Sequence, residues 1–139
     1  MPNITVSLTI TSSDLLSSPL SLAESFAADA DSGSLIKAKV KGTAADTSDM
    51  IVYLANDKND RAYLYLQNLE SELENYVYLR NETESDTALV AKIGGGEIAF
   101  IPISPDKTYA VYATKTDSLI EYAVFGNDNS SVIFAGSGT

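Results

Sequence analysis

Carboxylates are the main candidates for chemistry in this sequence, because the usual catalytic and metal-binding side chains are missing. The 139 residues include no Cys and no His, so there is no thiolate nucleophile, cysteine metal site or imidazole base. Nineteen Asp and Glu against nine Lys and Arg give a formal charge of −10. This charge repels nucleic-acid phosphates. We therefore predict a protein that is not an enzyme, uses no cofactor and binds no nucleic acid.

Three short acidic segments have enough oxygen atoms to suggest a calcium loop, since hard cations prefer carboxylate and carbonyl ligands. They are residues 57–60 (DKND), 29–31 (DAD) and 127–129 (NDN). The first segment lacks the glycine and the terminal glutamate of an EF-hand. Asp and Asn are also common in tight turns, where their side chains bond nearby backbone. We interpret all three as turns and predict no metal site.

Two other features suggest chemistry less strongly. Gly94, Gly95 and Gly96 resemble part of a phosphate cradle, but Glu97 and a predicted strand follow instead of a helix. We predict a turn that needs a positive φ. Glu121 lies between apolar residues of a predicted strand, where it either is a buried acid or faces solvent or a basic partner.

Apolar and polar residues alternate with period two along most of the chain, which is typical of strands with one buried face. The predicted fold is an all-β, antiparallel, jelly-roll-like sandwich of about eight to nine strands. Residues 97–125 show three such segments separated by two turns, and we predict a β-meander there. The predicted core includes Leu64, Leu66, Ile101, Val111 and Val124.

Individual segments add detail to this prediction. Lys37 and Lys39 alternate with apolar residues, which indicates either a solvated surface or an edge strand protected by charge. The nearly continuous apolar run at residues 50–55 predicts a central strand that is buried on both faces. We predict one domain, with an arm and connection at 1–34, the sandwich at 35–126 and a tail at 127–139. Residues 132–135 are an optional extra strand.

The N-terminal segment has the strictest alternation. Ile4, Val6, Leu8 and Ile10 alternate with polar residues, which predicts a strand with one buried face. This strand is either the first strand of the sheet or an arm that docks on a neighbour. We predict that residues 12–34, rich in Ser, Ala and Asp, are mostly loop with a helical turn near residues 22–28. The first ten residues lack a basic region and no apolar run reaches roughly 18 residues, so we expect neither a signal peptide nor a membrane helix.

Tyrosine is the most informative residue type, with eight copies and no Trp. The alternation places Tyr63, Tyr65, Tyr76 and Tyr78 opposite the core leucines, on the same side of neighbouring strands. Tyrosine is enriched at interfaces because it buries a large area with few rotamers. We predict a partner-binding surface from these four rings and from the apolar face of the N-terminal strand. The alternative is that the rings form half of the sandwich core.

The order of three motifs resembles small virion proteins of tailed bacteriophages, particularly phages of cyanobacteria and other marine hosts. The motifs are RAYLYLQN at 61–68, GEIAFIP at 96–102 and IEYAVF at 120–125, and the resemblance covers residues 61–125. It implies a head decoration (cement) protein that binds the major capsid protein over subunit junctions. The expected location is the capsid surface of the virion, after assembly in the bacterial cytoplasm. A homotrimer is favoured because it suits local three-fold positions. Alternatives are a tail, baseplate or fibre component, or a carbohydrate-binding receptor-recognition module.

Overall fold

The computed structural model describes residues 3–14, 20–30, 33–41, 50–82 and 88–128. All regular structure in these residues is β-strand, which confirms the predicted all-β class. The chain divides into two compact units, Met1–Asp31 and Ser32–Thr139. The optional strand at residues 132–135 lies outside the described residues.

The described strands, in chain order, are β1 (Asn3–Ser12), β2 (Leu20–Asp29), β3 (Ile36–Val40), β4 (Met50–Tyr53), β5 (Lys58–Asn68), β6 (Val77–Asn81), β7 (Ala88–Ile93), β8 (Ile98–Ile103), β9 (Tyr109–Ala113) and β10 (Ser118–Asp128).

The second unit is a sandwich of two four-stranded antiparallel sheets. The first sheet has the order β3-β10-β5-β8 and the second the order β4-β9-β6-β7. Between β3 and β6 successive strands lie in opposite sheets, and the two sheets interlock as two Greek keys. This is the strand order of a jelly roll, so the predicted jelly-roll-like sandwich is confirmed.

The core lies between the inner faces of the two sheets. Leu64, Leu66 and Val111 are almost completely buried, and Ile101 and Val124 pack against them. All five predicted core residues are therefore confirmed. Other fully buried apolar side chains are Val40, Val77, Leu79 and Ile120. Period-two alternation on each strand places these residues on one face.

Pairing between strands differs from the prediction in two places. The β-meander predicted at residues 97–125 is wrong, because β8 and β10 lie in the first sheet with β5 between them, and β9 lies in the second. The central strand predicted at residues 50–55 is also wrong. Its regular part, β4, is an edge strand, and Ile51 on it is 50% exposed. Alternation determines the face of a residue but not the neighbour of a strand. The strand with Lys37 and Lys39, β3, is an edge strand, which is one of the two predicted alternatives.

The first unit is an antiparallel hairpin, β1 with β2, in a register that runs from Asn3 opposite Asp29 to Ser12 opposite Leu20. The prediction of mostly loop with a helical turn near residues 22–28 is therefore wrong for residues 20–29. Apolar residues at positions 22, 26 and 28 follow period two, but three alanines and two serines hide this pattern. Pairing with β1 decides the conformation, as expected for a context-dependent β-propensity.

A turn at residues 94–97 connects β7 to β8 next to the end of β5. Gly96 has a φ of 85°, which confirms the predicted turn with positive φ. The Glu97 Oε1 accepts a 2.7 Å hydrogen bond from the Gly94 backbone N–H. A Cβ on Gly95 would clash with the Glu72 carbonyl oxygen, so the β5–β6 loop needs glycine there to pack closely.

Candidate interaction surfaces

Residues 57–60 form part of a structural contact rather than a cation site. The Lys58 side chain is buried, and its Nζ lies 2.7 Å from Asp128 Oδ1 at the end of β10. The Tyr53 hydroxyl accepts a 3.0 Å hydrogen bond from the Lys58 backbone N–H and donates one of 2.8 Å to the Pro105 carbonyl. Burial is the largest cause of the raised pKa of Tyr53. Within the described ranges, no three acidic, His or Cys side chains are close enough to hold a metal ion.

The hairpin presents one apolar face. Ile4, Val6, Leu8 and Ile10 lie opposite Ala28, Phe26, Glu24 and Leu22 in the register. Leu8 is 53% exposed and Phe26 45%, and Ile10 and Leu22 are also exposed. The opposite face carries Ser, Thr, Ala, Asn and Asp. A two-stranded sheet is at best marginally stable alone and needs a third strand or a packing partner.

The hairpin is also acidic. Asp14, Glu24 and Asp29 are its charged residues, and residues 3–29 contain no Lys or Arg. Glu24 lies opposite Leu8, in the middle of the apolar face. A carboxylate is costly to bury without a cation. A surface that covers this face therefore needs exposed apolar groups together with a positive charge.

The four tyrosines predicted to share one surface do not share one. Tyr63 and Tyr65 belong to β5 in the first sheet, whereas Tyr76 and Tyr78 lie at and just before β6 in the second. The predicted common face is therefore wrong, because β5 and β6, although consecutive in the chain, lie in opposite sheets. The prediction that these rings point away from the core leucines is confirmed for Tyr65 and Tyr78, whose neighbours in sequence form the core cluster.

On the first sheet, the tyrosines pack within the outer face. Tyr63 is buried and stacks on Phe100 at 5.8 Å between centroids. The Tyr65 hydroxyl lies 2.8 Å from Gln67 Oε1 and 3.5 Å from Glu121 Oε1. Burial, followed by the Glu121 charge, raises the pKa of Tyr65. Glu121 is half-buried, not a deeply buried acid.

On the second sheet, three tyrosines and two cations form a tyrosine column. Tyr76 and Tyr78 are tilted at 6.2 Å between centroids, and Tyr78 stacks on Tyr112 at 4.8 Å. Lys92 Nζ lies 4.1 Å from the centroid of the Tyr76 ring, and Arg80 Cζ lies 5.1 Å from that of Tyr112. Cation–π contacts of this kind are worth about 0.5–2 kcal/mol each.

The tyrosine column has a consequence for ligand binding. Lys92 and Arg80 each lie over one ring of the column, and Tyr78 and Tyr112 cover one face of each other by stacking. Stacking of sugar rings needs an uncovered ring face, so this column is a poor platform for carbohydrate. Sequence reasoning missed Tyr112, Arg80 and Lys92 because their grouping depends on strand order.

An apolar groove of about 600 Å³, which we call the edge groove, lies between the edge strands β3 and β4. Its lining includes Ile36, Ile51, Leu54, Tyr122, Val124 and Lys58. Leu54 is 61% exposed, and Ile36 and Ile51 are exposed as well. Sequence reasoning missed this groove, since its lining comes from four separate segments of the chain.

Since the described residues form no helix, none of them makes a helix that could span a membrane. Comparison of the chain with protein-family models, with curated proteins and with solved structures finds no match. The features of the molecule that bear on its function are therefore the jelly-roll sandwich, the hairpin, the tyrosine column and the edge groove.

Proposed function

We propose that this chain is a non-enzymatic structural protein of a phage virion. Its role is that of a head decoration (cement) protein, which binds the outer surface of the major capsid protein and stabilises subunit junctions. The observation that carries the proposal is the hairpin, a separate compact unit with an exposed apolar face. Such a face is typical of an element that docks on another protein.

The backbone of the hairpin supports the same role. Within the described residues β1 and β2 form a two-stranded sheet with no third strand in it. A free edge can add a strand to the sheet of a neighbouring protein, which gives affinity through main-chain hydrogen bonds. The side chains at alternate positions of the added strand then contact the neighbouring protein and give specificity for that partner.

The sandwich does not depend on the hairpin for its core. The buried core cluster begins at Val40, and its partly buried contacts begin at Met50. Loss of the hairpin should therefore leave the sandwich folded. Attachment to a partner through the hairpin and folding stability of the sandwich would then depend on different parts of the chain. On a capsid with many equivalent sites, modest affinity for each contact is raised by avidity if copies are linked.

A tail, baseplate or fibre location would use the same hairpin on a different partner, and it stays an alternative. A carbohydrate-binding module gains less support, because the tyrosine column has covered ring faces. Electron microscopy of virions made with and without this protein separates these locations. Density over capsid subunit junctions that disappears with the protein is the expected result, and density only at the tail would refute the head assignment.

A binding experiment tests the role of the hairpin. A variant without residues 1–31 should keep the sandwich, measured by circular dichroism and urea unfolding, and should no longer co-sediment with virions that lack the native protein. Phe26→Asp should act in the same direction, because it places a charge on the apolar face. Ala27→Asp is the matched control, since Ala27 is exposed on the opposite face. Full binding by the deletion variant would refute the proposed docking role.

A further inference from the structure

We propose that residues 132–135 of this chain dock in the edge groove, so that the chain closes its own groove after β10. These residues have the sequence VIFA and lie outside the described residues. Such docking gives the groove an occupant from the same chain and does not depend on the virion role. Four observations support it: the apolar lining, the place where β10 ends, the composition of the following segment and the lengths of the two surfaces.

The edge groove presents apolar side chains to water. Ile36, Ile51 and Leu54 line it and are exposed. Tyr122 and Val124 also line it, and they pack against the core cluster. Exposed apolar groups that lie together usually mark an interaction site. An apolar occupant would remove these side chains from water and extend the core into the groove.

The following segment starts at the groove itself. Asp128, the last residue of β10, lines the groove and pairs with Lys58 at 2.7 Å. Residues 129–131 (NSS) separate it from the apolar run. Asn and Ser are typical turn residues because their side chains bond nearby backbone, so this spacer is suited to reverse the chain. A spacer this short keeps the run beside the groove at an effective concentration of about millimolar.

The composition of residues 129–139 suits the groove. Of the longer segments of the second unit outside the described residues, it is the one with large apolar side chains. Residues 42–49 (GTAADTSD) and 83–87 (TESDT) contain no Val, Ile, Leu, Met or aromatic residue, and each contains two acids. Residues 129–139 contain no charged residue. This segment can therefore enter an apolar groove without burying a carboxylate, which would be costly.

The lengths of the two surfaces agree. Residues 51–54 line one side of the groove, and four residues in extended conformation span about 13 Å. Residues 132–135 span the same distance if they are extended. Alternate side chains of an extended segment point to the same side, so Val132 and Phe134 act together. We expect this pair to face the groove, with Phe134 as the anchor because of its large apolar area.

Methyl NMR on the purified full chain tests the docking. Phe134→Asp places a charge in the apolar run, and Ser137→Asp is the matched control, because it adds the same charge to the same segment beyond the run. The methyl groups of Ile51 and Leu54 report on the groove. Those of Leu73, which is exposed in the β5–β6 loop, report on the rest of the surface. Urea unfolding of each variant checks that the sandwich is folded.

In the wild type, nuclear Overhauser effects should connect the Phe134 ring with the methyl groups of Ile51 and Leu54. Phe134→Asp should shift these methyl signals and leave those of Leu73 in place, because only the groove loses its occupant. Ser137→Asp should leave all three residues unshifted. If Phe134→Asp moves neither groove signal, the run does not occupy the groove and the inference is wrong.

Disulfide crosslinking shows whether the occupant comes from the same chain, since the native sequence has no Cys. Gly136→Cys leaves the apolar run intact and is combined with Ser34→Cys or Ile51→Cys, which lie on different sides of the groove. Gly136→Cys with Ile98→Cys is the matched control, because Ile98 is 66% exposed on β8, at the other edge of the first sheet. Mass spectrometry after equilibration in a glutathione buffer locates each disulfide.

We expect a disulfide within one chain for a groove pair, with a yield about tenfold or more above that of the control pair. A disulfide that forms only between two chains would overturn the inference, because the groove would then hold the segment of a second copy. Yields equal to that of the control pair for both groove pairs would also overturn it, since the groove would then be open or filled by another molecule. Both experiments use purified protein, so their failure leaves the proposed docking of the hairpin on virions unaffected.

Discussion

Replacing Asn68 with leucine will destabilise the sandwich, although the two side chains are similar in size. The Asn68 side chain is fully buried at the end of β5. Its Nδ2 donates hydrogen bonds of 2.6 Å to the Asn75 carbonyl and 2.9 Å to the Ile93 carbonyl. Its Oδ1 accepts a 3.0 Å hydrogen bond from the Glu70 backbone N–H. One amide therefore connects the β5–β6 loop to the end of β7.

The magnitude follows from the groups that leucine leaves without a partner. A buried donor or acceptor that loses its partner costs about 1–3 kcal/mol. The hydrogen bond to Ile93 is buried, and those to Asn75 and Glu70 are partly buried. With one full and two partial losses, we expect Asn68→Leu to lower the free energy of unfolding by about 3–5 kcal/mol.

The effect should extend to the start of β10. Glu70 Oε2 accepts a 2.9 Å hydrogen bond from the Leu119 backbone N–H, and the Leu69 N–H bonds the Leu119 carbonyl at 2.9 Å. If Asn68 orders this loop, its loss will also speed hydrogen exchange at Leu119. Exchange at the Val111 amide, in the middle of β9, should reflect only the global loss of stability.

Urea unfolding measures the main effect, and Gln67→Leu is the control. Gln67 is the preceding residue, is only half-buried and points to the outer face. Its replacement removes one part-buried hydrogen bond, from the Tyr65 hydroxyl, and should cost about 1 kcal/mol. A cost for Asn68→Leu below about 1 kcal/mol, or equal to that of Gln67→Leu, would refute the reasoning about buried hydrogen bonds.

Three further predictions concern the sandwich. Leu64→Ala should lower the free energy of unfolding by about 2–5 kcal/mol through lost burial and a cavity, against little change for the exposed Leu73→Ala, and equal urea midpoints would contradict this. Burial raises the pKa of Tyr53, so the protonated phenol contributes to folding stability fully below the unfolded-state pKa of about 10, and this contribution is lost as pH rises through the higher folded-state pKa. Tyr53→Phe should therefore flatten the decline in the free energy of unfolding above about pH 10. An unchanged decline in the variant would contradict this prediction. The Ser104 hydroxyl donates a 2.6 Å hydrogen bond to the Asp106 carboxylate and is the main cause of the lowered pKa of Asp106. Ser104→Ala should therefore raise the Asp106 pKa in an NMR titration. In the wild type, any stability that this hydrogen bond adds is lost as pH falls through the folded-state pKa of Asp106.

The sequence was sufficient to predict the face of most residues. Alternation on β5 and β8 placed Leu64, Leu66 and Ile101 inside, as found. It worked because a strand in a two-sheet sandwich has one buried side, and period two is a local property of the backbone. The lysines of β3 indicated either a solvated surface or an edge strand, and β3 is an edge strand; a charged edge resists further pairing.

Strand neighbours could not be predicted in the same way. The alternation in β8, β9 and β10 is equally compatible with a meander and with the observed jelly roll, because either gives each strand one buried face. The predicted loop at residues 20–29 failed for a related reason. Alanine and serine carry little hydrophobic signal, so β2 becomes evident only when its ten residues are set against β1.

This difference explains which interaction surfaces the sequence revealed. The hairpin consists of two strands that are consecutive in the chain, so its apolar face was visible in part from Ile4 to Ile10. The tyrosine column and the edge groove each combine strands that are far apart in sequence, since a jelly roll alternates its strands between sheets. Patches formed in this way have no local sequence pattern.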